Sequence, residues 1–136
     1  MKLIGIDYGR RRIGLATTDE TGEFIRSLPT LDRKKQPRHI DILSDIVGKE
    51  RVSGVVIGLP LDADGGETEM SLEIRAFAAK LSGKTTVPVH FVDESLTSKR
   101  AHDIILYRKR KSRRDKGAVD GIAACLIIEE FKKETR

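Results

Sequence analysis

Residues 2–18, KLIGIDYGRRRIGLATT, carry two short apolar runs on either side of Gly9-Arg10-Arg11. The runs 2–8 (KLIGIDY) and 12–18 (RIGLATT) suit extended backbone, and a glycine-led break between two such runs is a hairpin signal. A Thr21-Gly22 turn leads to a third extended piece from Phe24 to Thr30. The start of the chain therefore reads as an antiparallel meander of three strands.

Beyond it the period changes. Pro37 suits the first residue of a helix, and Ile40, Leu43, Ile46 and Val47 recur at helical spacing. Val55-Val56-Ile57 is a buried strand ending at Gly58, followed by the loop LPLDADGG. Met70, Ile74, Phe77, Ala78 and Leu81 mark a second helix, and Pro88 to Val92 another strand. Thr97 or Ser98 can cap a third helix carrying Ala101, Ile104 and Ile105. The last helix, Ala118 to Phe131, is apolar on nearly every side and should pack on the sheet. Helices alternating with the later strands imply right-handed parallel crossovers. The expected α/β architecture is a mixed five-stranded sheet flanked by helices, antiparallel in its first three strands and parallel in its last two. That is the architecture of ribonuclease H-like folds.

The chain has 136 residues, which suits a single domain over residues 1–136 and excludes two-lobed enzymes. Its net charge of +5 is unevenly spread. From Arg108 to Lys116 there are seven basic residues and one acid, while the other 127 residues carry 19 basic and 20 acidic groups. The domain is near neutral apart from one cationic strip: Arg108, Lys109, Arg110, Lys111, Arg113, Arg114 and Lys116. Such a run repels itself until an anion neutralises it, so its expected partner is a nucleic-acid backbone. The lone cysteine, Cys125, can form no internal disulfide, and the opening apolar run LIGI is too short for a secretory signal. With no membrane-length apolar stretch either, the expected location is the cytoplasm.

Four carboxylates stand out because of what surrounds them. Asp7 ends a strand otherwise written in Leu, Ile and Gly; Asp93 and Glu94 end the last strand; Asp120 falls in the first turn of the final apolar helix, with no obvious cation beside it. An ionised carboxylate in apolar surroundings is costly unless it is paired or binds a cation. In parallel α/β sheets functional groups collect at the carboxyl ends of strands, and the final helix can reach that edge. Carboxylates converging there would be relieved by Mg²⁺ or Mn²⁺, ions suited to phosphodiester hydrolysis. One acid alone at a strand end is more often a turn residue or an ion-pair partner, so the inference needs all of them at one edge.

The runs GIDYGRRRIGLA (5–16), IGLPLDADG (57–65), FAAKL (77–81), VDESLTS (92–98) and K-x3-D-x2-AA (116–124) stand in an order that resembles the YqgF/RuvX family. Its members are described as Holliday-junction-resolvase-like proteins and as nucleases of precursor 16S rRNA. The resemblance spans about residues 3–130. It implies a ribonuclease H-like fold and a metal-dependent nuclease site of Asp7, Glu94 and Asp120, with Mg²⁺ or Mn²⁺ as cofactor. It also implies maturation of the 5′ end of precursor 16S rRNA, with cleavage of four-way DNA as the other activity. Arg12 matches the family pattern and is expected to hold the nucleic-acid backbone together with the 108–116 strip. Two departures stand out: the fourth strand ends in Gly58-Leu59-Pro60 where related resolvases carry an acid, and Ser95 follows Glu94 where an arginine is expected.

Other features read as structural. Asp62-Ala63-Asp64-Gly65 resembles the start of a calcium loop but has Gly66 at the fifth position, so a turn is expected. Tyr8 should pack at a rim rather than stack on a base. His39, His90 and His102 lack metal-ligand spacing. The expectation is a divalent-metal nuclease on structured RNA, monomeric or a weak homodimer. The alternatives are a dimeric junction resolvase and an RNA-binding assembly factor that does not cut. An actin-like phosphotransferase, suggested by GIDYG, lacks a second lobe.

Overall fold

The computed structural model describes residues 1–94 and 116–135. Five strands form one sheet: β1 (Leu3–Tyr8), β2 (Arg12–Thr18), β3 (Ile25–Asp32), β4 (Gly54–Leu59) and β5 (Val89–Asp93), in the spatial order β3-β2-β1-β4-β5. β1 pairs antiparallel with β2, and β2 with β3, whereas β1–β4 and β4–β5 are parallel. The helices described are α1 (His39–Glu50), α2 (Glu69–Ser82) and α3 (Lys116–Glu134). The mixed sheet is the one the sequence pattern predicts. The helix expected after Thr97 or Ser98, Ser95 itself, and the basic residues 108–114 lie outside the described residues, as does the side chain of Lys116.

Side-chain alternation divides the core into two layers. Ile4, Ile6 and Tyr8 of β1 join Ile13, Leu15, Val55 and Ile57 beneath α1 and α2. Leu3, Ala16, Val56 and Val92 face the other way, against Ala124, Ile127, Ile128 and Phe131 of α3. Both faces of β1 and β4 are covered, which is why these strands read as near-continuous apolar runs. Each fully buried Leu or Ile contributes about 1.5–3 kcal/mol relative to exposure. The sequence of α2 starts on a capping box, with Thr68 Oγ1 accepting from Ser71 N and Ser71 Oγ accepting from Thr68 N.

Two local expectations differ. Pro37 does not open α1, which begins two residues later at His39. Gln36 N donates to Asp32 O, closing a turn that carries the chain past Pro37 before the helix starts. β3 also runs on to Asp32, because Asp32 pairs with Arg12 across β2. Among the described residues no helix is long and apolar enough to cross a membrane.

Candidate active site

β1 and β5 run parallel on either side of β4, so their carboxyl ends share one edge of the sheet. Asp7 is the penultimate residue of β1, and by alternation its side chain points to the face covered by α3. Glu94 follows β5 directly, and its N–H donates to Leu59 O at 2.9 Å, extending the ladder one residue beyond the strand. Asp120 reaches the same place from the helix. Asp7 pairs across the sheet with Gly14, and a Cβ built on Gly14 would stand 2.2 Å from the carbonyl oxygen of Asp120. Only a residue without a side chain lets α3 settle that closely over the strand bearing Asp7. Gly58 has the matching role at β4: a Cβ there would lie 2.8 Å from the carboxyl carbon of Glu94. Gly58, the penultimate residue of β4 where the sequence pattern lacked an acid, leaves the space the Glu94 carboxyl occupies.

Electrostatics sets these acids apart. The Asp7 carboxyl is pushed well above the ordinary carboxylate range, first by loss of water around it. The charge of Glu94, a hydrogen bond donated to Glu94 by protonated Asp7, and the charge of Asp120 all add to the shift. Glu94 is also raised, by burial first; its hydrogen bond with Asp7 opposes the shift and the charge of Asp93 adds to it. Two carboxyls in contact and a third within electrostatic reach are an unfavourable arrangement for a protein left to itself.

Asp120 corrects the sequence reading in two ways. It is the fifth residue of α3, past the first turn. It also has a cation beside it, since Arg12 Nε donates to Asp120 Oδ2 at 2.9 Å. Arg12, expected to hold a nucleic-acid backbone, pairs with this acid in the structure. Among the described residues no three His, Cys, Asp or Glu side chains converge closely enough to hold a metal ion. Asp7 and Glu94 are nevertheless hard oxygen donors, both raised first by burial, which is the donor chemistry a Mg²⁺ or Mn²⁺ ion takes. Those two residues fit such an ion, while Asp120 is held by Arg12.

The other face of the same edge carries a second polar network. Tyr8 Oη donates to Glu73 Oε1 at 3.0 Å, Arg10 Nε donates to Glu73 Oε2 at 3.1 Å, and Arg33 Nη1 donates to Tyr8 Oη at 2.8 Å. Arg33 lies over the Tyr8 ring, 4.9 Å from its centroid, and Tyr8 packs on Phe77 with centroids 4.8 Å apart. Tyr8 is thus a packed residue, as expected. The Asp62 loop is a turn: Asp62 Oδ1 accepts from Asp64 N at 2.9 Å and from Gly66 N, and Gly65 has φ +79°. Cys125 packs against the α3 layer, and burial pushes its thiol up. Sequence reasoning missed Arg33 and Glu73, and the packing role of Gly14 and Gly58. A glycine on the inward face of an otherwise β-branched strand, as in GVVIGL, was the available signal for the last of these.

The family model described as "RuvX: Holliday junction resolvase" matches residues 1–133. A Synechococcus elongatus protein named "Putative pre-16S rRNA nuclease" is 38% identical over 133 residues, 98% of this chain and 89% of that one. A protein of the same name from Maridesulfovibrio salexigens is 36% identical over 131 residues, 96% of this chain and 97% of its own. Among solved structures, T. thermophilus RuvC in complex with a Holliday junction superposes with a TM-score of 0.62 at 15% identity, covering 98% of this chain and 96% of that chain. The fowlpox virus resolvase with its Holliday junction DNA gives 0.60 at 13% identity, over the full length of both chains. At these identities the two structures speak for the fold alone, and the fold they share is ribonuclease H-like.

Proposed function

We propose, from the premise that this chain belongs to the RuvX (YqgF) family, that it is a divalent-metal-dependent nuclease acting on structured RNA. The observation that carries the reading is the Asp7–Glu94 contact: two carboxyls, both raised, pressed together at the carboxyl ends of parallel strands. A folded protein keeps such a contact at a cost in stability, and sites of that kind are where function collects. Asp7, Glu94 and Asp120 would hold the ions. Bound Mg²⁺ or Mn²⁺ supplies positive charge that makes an attacking water more acidic and stabilises the leaving oxygen.

The chain's own groups do the rest. Asp7 sits in a strand paired on both sides, so its carboxyl has a fixed origin. Gly58 leaves the Glu94 carboxyl room beside it. Arg12, beside Asp120, is placed to hold a phosphate oxygen once it is released from that acid. The strip of Arg108, Lys109, Arg110, Lys111, Arg113, Arg114 and Lys116 supplies further backbone contacts of the sequence-independent kind.

The relatives' shared name supports precursor 16S rRNA as the substrate and the cytoplasm as the place of action. The family's description supports a second reading, four-way DNA, which is cut at paired positions and so calls for a two-fold dimer. Labelled precursor RNA and four-way DNA, incubated side by side with Mn²⁺ or chelator, decide between them. Asp7→Asn should lose about 10³-fold in cleavage, because a metal contributes several kcal/mol and each 1.36 kcal/mol is tenfold. Unchanged cleavage by that variant would end the nuclease reading.

A further inference from the structure

β3 runs parallel to β1, two strands away, so its end at Asp32 shares the edge that carries Asp7. At about 4.8 Å per strand the two ends lie about 10 Å apart, a few phosphate steps along a polynucleotide. The loop leaving β3 is tightly built. Asp32 Oδ1 accepts from the backbone N–H of Lys34 at 3.0 Å and of Lys35 at 3.3 Å, while Gln36 Oε1 accepts from Asp32 N at 3.0 Å. Arg33 ties this loop to the β1–β2 turn: its N–H donates to Arg11 O at 2.8 Å and its guanidinium to Gly9 O at 3.2 Å. The clamped loop presents Lys34 and Lys35 to solvent next to exposed Arg11. Arg11 pairs with Asp32 at 3.4 Å, and the charge of Lys35 reaches the same acid. Lys34 has no ion-pair partner among the described residues.

Resting on the nuclease reading, we infer that the Lys34–Lys35 loop is a second contact for the substrate's phosphate backbone. It is separate in sequence from the 108–116 strip and lies on the β3 side of Asp7. The rigid loop fixes where these charges stand relative to Asp7, so they hold the strand beyond the cut rather than merely attracting it. The contacts are to phosphate and are blind to base and sugar.

The test is the salt dependence of binding to labelled single-stranded RNA and to DNA of the same sequence. K34E/K35E is compared with K49E/K133E, an equal charge change on exposed lysines at the opposite end of the sheet. Removing two phosphate contacts should flatten the log–log slope by about 1.4 on either strand. At low salt the affinity should fall at least about tenfold, while K49E/K133E keeps the wild-type slope. A wild-type slope in K34E/K35E, equal flattening in both pairs, or a loss confined to RNA would overturn the inference and leave the nuclease reading standing. Failure of the wild-type protein to bind either strand would overturn both.

Discussion

One edge of the sheet carries two polar clusters on opposite faces, and they are electrostatic opposites. Under α2, Glu73 receives hydrogen bonds from Tyr8 and Arg10, with Arg33 close by, and its carboxyl is held below the ordinary range. Under α3, Asp7 and Glu94 face one another and both are pushed up. The clusters are only one residue apart in the chain, since Asp7 belongs to one and Tyr8 to the other. Because successive side chains of a strand point to opposite faces, a single dipeptide feeds both. The first cluster holds β1, α2 and the β3 loop together. The second stabilises nothing by itself, and that is the mark of a group of acids kept for a ligand.

The largest expected effect breaks the acid side alone. Gly14→Ala places a Cβ 2.2 Å from the backbone of α3, which cannot yield without the helix lifting and carrying Asp120 with it. We expect a loss of about 3 kcal/mol, the upper end of the usual cost of overpacking, measured by urea unfolding. Tolerance of the alanine would mean that α3 does not sit as close to β2 as described.

A smaller effect sharpens the other side. Tyr8→Phe removes one hydroxyl that both donates to Glu73 and accepts from Arg33, at a cost of about 1 kcal/mol. Glu73→Gln adds a pH signature. The folded carboxyl lies below its ordinary 4.5, so its stabilisation is present above that value and is lost as pH falls through the lowered one. The variant should therefore be the less stable protein at pH 7, with the difference closing at acid pH. A difference independent of pH would remove Glu73's charge from the account.

The sheet was legible because its signals are periodic and local. The hairpin at Gly9-Arg10-Arg11, the β-branched strands and the apolar spacing of α2 each follow from a short stretch of chain. The acids were legible for a related reason: Asp7 and Glu94 are charges where the surrounding residues call for apolar ones. Their partners were not. Arg12 meets Asp120 across 108 positions, and Tyr8 meets Glu73 across 65. No local pattern encodes such pairs, so Asp120 read as having no cation beside it. The start of α1 was missed because Pro37 suits a turn as well as a first helical residue, and Gln36 closes that turn. Gly58 read as a missing acid because its purpose lies on the neighbouring strand, where Glu94 needs the room.

The contrast between the two clusters meets its most direct test in the thermal unfolding of wild type and Asp7→Asn at pH 7, each with chelator and with Mn²⁺. Folded Asp7 holds its proton more tightly than the unfolded chain does, so stability falls as pH rises above 3.8 toward the raised value. Without metal, Asp7→Asn should be the more stable protein, by about 0.5–2 kcal/mol, the gain commonly found when a site's built-in strain is relieved. With Mn²⁺ at 100 times its dissociation constant, wild type should gain about 2.7 kcal/mol and the variant almost nothing. A variant no more stable than wild type in chelator, and raised equally by Mn²⁺, would contradict the claim that these acids are kept for a metal.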